Sequence, residues 1–277
     1  MTKAHDINVL ITGMGPYPNG IGGHIDVNTS HLITTPHSKE ESLTLGIVVL
    51  PPTLEPNTAQ NPLSTRVNIM TLPDPVKSEY KYVRDFCKEL HDKHTDDVDL
   101  FIHLGEARGW DWLTIERVAY KQGMSSTWWQ PGERKDYYTI PDDAGLTIDD
   151  IGPCPWDGVP IGLHSQLDVE KIADSASAIL KTLETATQDS GTPIQIKLHN
   201  EGGPFLCGFI SYESLANRYV RQLRPNVLFC HMPGEADAKS LARAGNGILA
   251  IAVSAANEVL RQRKQGSVFL NSNGKLV

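Results

Sequence analysis

Short apolar runs alternate with longer helical stretches along this chain, and this alternation restricts its fold more than any other feature. Several runs are too apolar for strands with one face in water. The stretches between them carry apolar residues at helical spacing, as at Ile172, Ala176 and Leu180. The predicted strands are 7–12, 43–50, 100–104, 194–198 and 227–230, and the predicted helices are 76–94, 166–187, 208–222, 235–244 and 247–265. The pattern predicts an α/β fold, a three-layer α/β/α sandwich with a mostly parallel, mixed central sheet.

Two local features refine this prediction. Asn246 is a good N-cap residue, so we expect a helix that ends before it and another that begins after it. Residues 121–165 are rich in Trp, Tyr and Pro and show no regular periodicity, which predicts an irregular insertion. No convincing boundary divides the chain, so we expect residues 1–277 to form a single domain.

The first predicted strand leads into a glycine-rich segment, VLITGMGPYPNGIGG, at 9–23. The spacing of Gly13 and Gly15 is compatible with a turn that binds a phosphate group. However, Pro16 and Pro18 interrupt the helix that such a turn needs behind it, and no Gly-Lys-Ser or Gly-Lys-Thr follows. The sequence therefore disfavours dinucleotide binding. The loop still lies at the end of a strand, where α/β proteins build their sites.

Composition excludes several classes of protein. The formal net charge is −8, which argues against nucleic acid as a partner. We see neither a secretory signal nor eighteen consecutive apolar residues, so no membrane partner is expected. Four cysteines in a chain of 277 residues do not form a disulfide scaffold, and none is in a Cys-x-x-Cys pair. A cytoplasmic location is the expectation.

Three motifs at predicted strand ends carry chemistry. In HNEGGPFLCGFISYESL, Cys207 precedes a helix expected to begin at Gly208, and a helix N-terminus favours the thiolate. Backbone N–H groups of the turn around Gly203 could stabilise an oxyanion. The alternative for Cys207 is a small buried hydrophobic residue.

The other two motifs supply a base and a carboxylate. In LFCHMPGE, His231 closes an apolar strand, and the alternative is a hydrogen-bonded loop histidine. Strand alternation directs the neighbouring Cys230 to the opposite face, into the core. In HLGEARGWDWLTIERVAY, the candidate is Glu116, and the alternative is a solvated carboxylate paired with Arg117 or Arg108. A nucleophilic cysteine needs a base, and that base needs an orienting partner, so the three residues together outweigh each one alone.

The ordered segments VLITGMGPY, HLGEARGWDWLTIERVA, NEGGPFLCGFISYESL and FCHMP resemble the type I pyroglutamyl peptidases, cysteine omega-peptidases that remove an N-terminal pyroglutamate. Their order and spacing agree over nearly the whole chain, apart from the irregular segment. The resemblance implies a nucleophile at Cys207, a general base at His231 and a third triad member at Glu116. It also implies that Met14 and Tyr17 help to build the pocket for the lactam ring, and that no cofactor is needed.

The sequence departs from the family pattern at several positions. Gly208 replaces an Asn after the nucleophile, and Glu201-Gly202 replaces a small Ser-Ala pair. Glu106 falls where some members have a ring-binding Gln, and a carboxylate could accept from the lactam N–H but could not donate to its carbonyl. The family's Arg before the Ile-Pro-Asp turn has no clear counterpart, and the nearest candidates are Arg134 and Lys135.

These observations leave three functions open. The first is a cysteine exopeptidase that acts on peptides with an N-terminal pyroglutamate. The second keeps the fold and the triad but takes another N-blocked peptide or small amide, and the third is a catalytically silent binding protein. A metal site of His103, His199 and His231 lacks supporting spacing. The resemblance is compatible with a monomer or a homo-oligomer.

Overall fold

The structure, a computed structural model, describes residues 6–18, 23–35, 46–49, 66–122, 136–187 and 194–265. Its strands are β1 (Ile7–Gly13), β2 (Tyr17–Pro18), β3 (His24–Ile25), β4 (Gly46–Val49), β5 (Arg66–Thr71), β6 (Leu100–Ala107), β7 (Trp112–Tyr120), β8 (Gly162–Leu163), β9 (Gln195–Glu201) and β10 (Val227–Pro233). Its α-helices are α1 (Thr29–Thr34), α2 (Tyr80–Lys93), α3 (Val169–Thr187), α4 (Leu206–Val220) and α5 (Ala238–Lys264).

The central sheet is mostly parallel. Its order is β10-β6-β1-β5-β4, and only the edge strand β4 runs antiparallel to its neighbour. A second sheet, β8-β7-β9, pairs β7 with β9 in parallel and with β8 antiparallel. The backbone N–H of His231 in β10 donates to Oγ1 of Thr114 in β7 at 3.3 Å, which ties the two sheets together.

Helices cover both faces of this layer because its strands alternate apolar residues on their two sides. Ile7, Val9 and Ile11 of β1 belong to the cluster that contains α3 and α5. Leu10 belongs to a second cluster, which contains residues of α2 and α4. The predicted three-layer α/β/α sandwich with a mixed sheet is therefore confirmed.

Most predicted elements are present, but several strands extend further than the sequence indicated, whereas α2 and α3 begin later than predicted. The strands that begin at Leu100 and Val227 continue to Ala107 and Pro233. Of the predicted strand at 43–50, the structure describes 46–49, which form β4. The predicted boundary at Asn246 is wrong, because α5 runs through it as one helix. A Cβ at Gly247 would lie 2.2 Å from Cδ1 of Leu113, so this glycine allows close packing on β7 instead of ending the helix.

Besides the two-residue strands β2, β3 and β8, three α-helices or strands of the described residues were not predicted: α1, β5 and β7. The segment of β7 contains Glu116 and Arg117 in the middle of an apolar run, which hid its alternation. In the structure, Leu113 and Ile115 enter the core beside α3 and α5, and the buried Thr114 and Glu116 are hydrogen-bonded. A strand with internally paired polar side chains looks like a loop in the sequence.

Of the segment that the sequence predicts to be an irregular insertion, 121–165, the structure describes 121–122 and 136–165. They contain one short 3-10 helix, Ile148–Ile151, and the two-residue strand β8. Tyr137, Tyr138 and Trp156 are buried, and the Trp156 indole donates to Glu213 Oε1 at 2.8 Å. Trp128 and Trp129 lie outside the described residues. Within the described ranges, none of the helices has the combined length and apolar composition that crossing a membrane requires.

Two fully buried histidines, His91 of α2 and His103 of β6, are connected through the hydroxyl of Ser214 in α4. Nε2 of His91 and Nε2 of His103 lie 2.7 and 2.9 Å from Oγ of Ser214. Nδ1 of His103 lies 2.7 Å from Oγ1 of Thr12. Burial lowers the pKa of His103 to about 3. Burial, together with the positive charge of Arg218, lowers the pKa of His91 to about 2. Both imidazoles are therefore neutral in the folded protein at neutral pH.

These histidines predict an acid-sensitive fold. In the unfolded chain these two imidazoles take up a proton near pH 6.5, whereas in the folded chain they stay neutral. Their contribution to the free energy of unfolding is therefore fully present above pH 6.5 and is lost as the pH falls toward 3. Each histidine should contribute a slope of about 1.4 kcal/mol per pH unit in this window. In urea unfolding between pH 7 and 4.5, His103→Gln should lose about this slope, whereas His164→Asn, at an exposed position, should keep it. An unchanged slope in His103→Gln would contradict the assignment.

Candidate active site

The three candidate catalytic residues come from three elements that meet on the α4 side of the sheet. Leu228, Cys230 and Met232 of β10 point into the core beside α5, so alternation directs His231 to the other face. The same alternation in β7 puts Glu116 on that face, and Cys207 is the second residue of α4. Cys230 is fully buried, as predicted.

Glu116 is a buried carboxylate that accepts from several donors. Its Oε1 lies 2.8 Å from Nδ1 of His231 and accepts from the Thr114 hydroxyl at 2.6 Å. Its Oε2 lies 2.7 Å from Nδ1 of His199. Burial by itself raises the pKa of Glu116, but the hydrogen bonds from His199 and His231 outweigh burial and lower the pKa below its ordinary value. Glu116 is therefore ionised.

His231 lies between this carboxylate and the thiol. Because Nδ1 donates to Glu116, Nε2 is the nitrogen that remains for Cys207, to which the imidazole is hydrogen-bonded. Burial alone would lower the pKa of His231, but the Cys207 sulfur and the Glu116 carboxylate raise it to about 10. The three groups therefore favour a protonated imidazole beside the sulfur.

Two glycines make room for this arrangement. A Cβ at Gly105 would lie 2.9 Å from Sγ of Cys207 and 2.7 Å from the Phe229 ring, so β6 can pass behind the thiol only without a side chain. A Cβ at Gly208 would lie 2.0 Å from the carbonyl oxygen of Gly203. The backbone of the chain thus needs a glycine directly after Cys207, because any side chain at this position would collide with the turn at Gly203.

The predicted alternative for Glu116, an exposed carboxylate paired with Arg117 or Arg108, is wrong. Arg117 pairs with Glu170 and Arg108 pairs with Glu106, whereas the Glu116 side chain is only 1% exposed. The alternative for His231 as a loop histidine is also wrong, because His231 is a buried residue within β10.

A second histidine, which the sequence analysis did not assign to the triad, binds the same carboxylate. His199 lies directly across from Glu116 in the β7–β9 register. The ring of Trp110 meets both imidazoles edge to face, at centroid distances of 5.4 Å from His199 and 5.7 Å from His231. No motif could have indicated this contact, since it depends on the pairing of strands 83 residues apart.

A cavity of about 110 Å³ opens beside the thiol. It is lined by Met14, Tyr17, Asn28, Ser78, Glu106, Phe205, Leu206 and Cys207. Met14, Tyr17 and Glu106 were predicted to form such a pocket. Gly203 is not among the lining residues and lies in the turn before α4 with a φ of 84°, so its role in oxyanion binding stays a prediction. Ser78 was not anticipated because it is distant in sequence from the motifs, and Phe205, although it lies in the Cys207 motif, was not assigned to the pocket.

The carboxylate of Glu106 lines this cavity, but both of its oxygens already accept hydrogen bonds from the protein. Its Oε2 accepts from the Thr29 N–H at 2.7 Å and from the Thr29 hydroxyl at 3.0 Å. Its Oε1 accepts from Arg108 Nε at 2.6 Å and from the Tyr17 hydroxyl at 3.3 Å. A carboxylate offers about four lone pairs, so Glu106 keeps no acceptor site for a ligand N–H. The expectation that it could accept from a lactam N–H is therefore not supported by this arrangement.

The glycine-rich segment shapes the cavity instead of binding a phosphate. The N–H of Gly15 donates to the Val76 carbonyl at 2.8 Å, and the N–H of Met14 donates to Ser30 Oγ at 3.0 Å. Donors that a phosphate would need are therefore used within the protein. Asn28 caps α1 through Ser30 N–H and donates to the Gly15 carbonyl at 2.9 Å, which fixes Met14 and Tyr17 at the pocket.

The remaining candidate residues do not join the site. His103 lies in the buried chain with Thr12 and Ser214, away from His199 and His231. Among the residues described by the structure, no group of three or more His, Cys, Asp or Glu side chains could hold a metal ion. Arg134 and Lys135 lie outside the described residues.

The fold and the site together define an α/β protein with a Cys-His-Glu cluster at the start of a helix. Solved structures with the same fold include pyroglutamyl peptidase I from Bacillus amyloliquefaciens, 20% identical with a TM-score of 0.58 over 92% of this chain and 97% of that one. A mutant pyrrolidone carboxyl peptidase from Pyrococcus furiosus is 16% identical, with a TM-score of 0.58 over 91% and 100%. That from Thermococcus litoralis is 18% identical, with a TM-score of 0.55 over 94% and 96%.

No protein-family model matches the chain, and no curated protein sequence matches it. At this level of identity the likeness to solved structures shows the fold, which agrees with the fold that the resemblance implied. Activity and substrate have to be argued from the residues of the site.

Because every acceptor site of Glu106 is occupied, we predict that the substitution Glu106→Gln destabilises the folded protein. In Glu106→Gln the NH₂ group cannot accept, so about two of the four donors lose their acceptor. We expect a loss of about 2–4 kcal/mol in the free energy of unfolding. Urea unfolding of Glu106→Gln beside Glu235→Gln, at an exposed carboxylate, measures this difference. Equal stability of Glu106→Gln and the wild type would contradict the contact network.

Proposed function

We propose that this protein is a cysteine exopeptidase that removes an N-terminal pyroglutamyl residue from peptides. The observation that supports the proposal is the convergence of Cys207, His231 and Glu116, in which a thiol at a helix N-terminus is hydrogen-bonded to an imidazole that a buried carboxylate orients. Nucleophile, base and orienting group in this order form the arrangement of a catalytic triad.

In the proposed first step, Sγ of Cys207 attacks the carbonyl carbon of the pyroglutamyl residue. The first helical hydrogen bond of α4 runs from the Phe209 N–H to the Phe205 carbonyl, so the N–H groups of Cys207 and Gly208 precede the helical ladder. We assign these N–H groups, with the turn at Gly203, to the developing oxyanion.

The protonated imidazole of His231 then gives its Nε2 proton to the leaving amine, and a thioester with Cys207 remains. Neutral His231 next takes a proton from water, whose oxygen attacks the thioester carbonyl. The acyl–sulfur bond breaks and free pyroglutamate leaves. Glu116 holds the imidazole in one tautomer throughout and stabilises its charged form.

The cavity beside the thiol is suited to a small, uncharged ring. Met14, Phe205 and Leu206 give it apolar walls, and Asn28 and Ser78 add neutral polar groups. Because Glu106 is saturated by its own partners, the ring has to be read by these neutral groups and by the shape of the pocket. A substrate without a free α-amine would then be preferred, since Glu106 keeps no acceptor site for an ammonium group.

Hydrolysis of pyroglutamyl-aminocoumarin tests the proposal. The wild type should release the fluorophore, and Cys207→Ala should lose at least about a thousandfold in kcat/KM because the nucleophile is gone. Cys154→Ala, which removes a cysteine outside the site, should retain the wild-type rate. Equal rates in the wild type and Cys207→Ala would exclude Cys207 from the mechanism.

A second candidate keeps the triad but changes the substrate to another N-blocked peptide or small amide. The observation that favours it is the carboxylate of Glu106 in the wall of the cavity, which is paired with Arg108. This candidate gains if pyroglutamyl-aminocoumarin is inert while iodoacetamide rapidly alkylates Cys207. A panel of N-blocked peptides would then identify the group that the pocket accepts.

A further inference from the structure

The carboxylate of the triad is bound by two imidazoles, one on each oxygen. His231 donates from Nδ1 to Oε1 at 2.8 Å, and His199 donates from Nδ1 to Oε2 at 2.7 Å. The geometry fixes the role of this nitrogen in His199, because Nδ1 also lies 3.0 Å from the carbonyl oxygen of Glu201. Two acceptors facing the same nitrogen require it to carry a proton in both charge states of the ring.

We propose that His199 is a positioning residue of the catalytic site, which fixes the Glu116 carboxylate through the oxygen that His231 leaves free and brings a second titratable imidazole to the triad. The inference rests on the proposed triad but not on the identity of the substrate. Because the Glu116 side chain is almost fully buried, a lost partner at Oε2 would leave a charged oxygen unpaired.

His199 differs from His231 in its access to water. The side chain of His199 is 30% exposed, whereas that of His231 is 8% exposed. The partly exposed ring of His199 can therefore exchange protons with solvent while Nδ1 keeps its bond to Glu116. The hydrogen bond to Glu116 raises the pKa of His199 above its ordinary value, against the effect of partial burial.

Among the residues that the structure describes, the charged and titratable groups around His199 lie on β7, β9 and β10. Glu116 lies on β7 and raises the pKa of His199, whereas the charge of His231 on β10 lowers it. On β9 itself, the carboxylate of Glu201 is held by the Tyr137 hydroxyl. Lys197, two residues before His199, lies over the Trp112 ring at 3.5 Å, and the Trp110 ring from the β6–β7 loop covers both imidazoles.

A protonated His199 places an additional positive charge near the thiolate–imidazolium pair. In acid, this charge disfavours the uptake of a further proton by the adjacent Cys207–His231 pair. Above the pKa of His199 the ring is neutral, and its contribution is the hydrogen bond alone. The rate of Cys207 alkylation plotted against pH should have an acid limb, where the rate falls with falling pH, and a plateau at higher pH. Removal of the His199 charge should shift the acid limb and leave the rate on the plateau unchanged.

The test measures alkylation of Cys207 by iodoacetamide from pH 3.5 to 9, with the modified peptide quantified by mass spectrometry. His199→Asn keeps an N–H donor near the position of Nδ1 but cannot be protonated. We expect its acid limb to move up by about half to one pH unit, with the rate at pH 8 within about twofold of the wild type. His199→Phe removes the donor as well, so both the limb and the plateau should change.

The control is His164→Asn, at an exposed histidine outside the site, which should superimpose on the wild type. Superposition of His199→Asn on the wild type would overturn the proposal, and so would an equal loss of rate at every pH. Urea unfolding of each variant identifies a loss of folding, and if His199→Phe does not fold, His199→Asn decides alone. A shifted limb in a protein that does not hydrolyse pyroglutamyl-aminocoumarin would support His199 and reject the proposed substrate.

Discussion

The arrangement of the site depends on one buried negative charge, the carboxylate of Glu116. A carboxylate away from water is costly unless its oxygens are fully hydrogen-bonded, and here Thr114, His199 and His231 supply the donors. These donors lie on three different strands, so the charge connects β7, β9 and β10. The same contacts orient the imidazole of His231 toward the helix that carries Cys207.

The fold supplies this geometry through simple strand alternation. In β6, β7 and β10, every second residue enters the core beside α3 and α5, and the residues between them face α4. Gly105, Glu116 and His231 are all on the α4 face, where the first turn of that helix brings Cys207. The apolar pattern that stabilises the sandwich thus also sets which side chains can meet at the site.

Much of this could be predicted from the sequence. The layered fold follows from strongly apolar strands and amphipathic helices, and the residues Cys207, His231 and Glu116 follow from motifs at strand ends. What could not be predicted depends on contacts between distant segments. The continuity of α5 depends on the packing of Gly247 on Leu113, and β7 is concealed by polar residues that find partners only in the folded chain.

In the pocket, too, several lining residues could be predicted from motifs, but their hydrogen bonds to distant segments could not. Met14, Tyr17 and Glu106 were predicted, but the saturation of Glu106 by Thr29 and Arg108 was not, because it requires α1 to pack against the end of β6. The pairing of His199 with Glu116 likewise requires the register of two strands. Composition and motifs identify reactive groups, whereas the folded structure determines which of their hydrogen-bonding sites remain for a ligand.

The central claim is that Cys207, His231 and Glu116 form one electrostatic unit. The most direct measurement is an NMR titration of the His231 imidazole in the wild type and in Cys207→Ala. In the wild type the ring should stay protonated to about pH 10, and its pKa should fall by about 1–3 units when the sulfur is removed. A His231 that titrates near pH 6.5 in the wild type, or at the same pH in both proteins, would contradict the account.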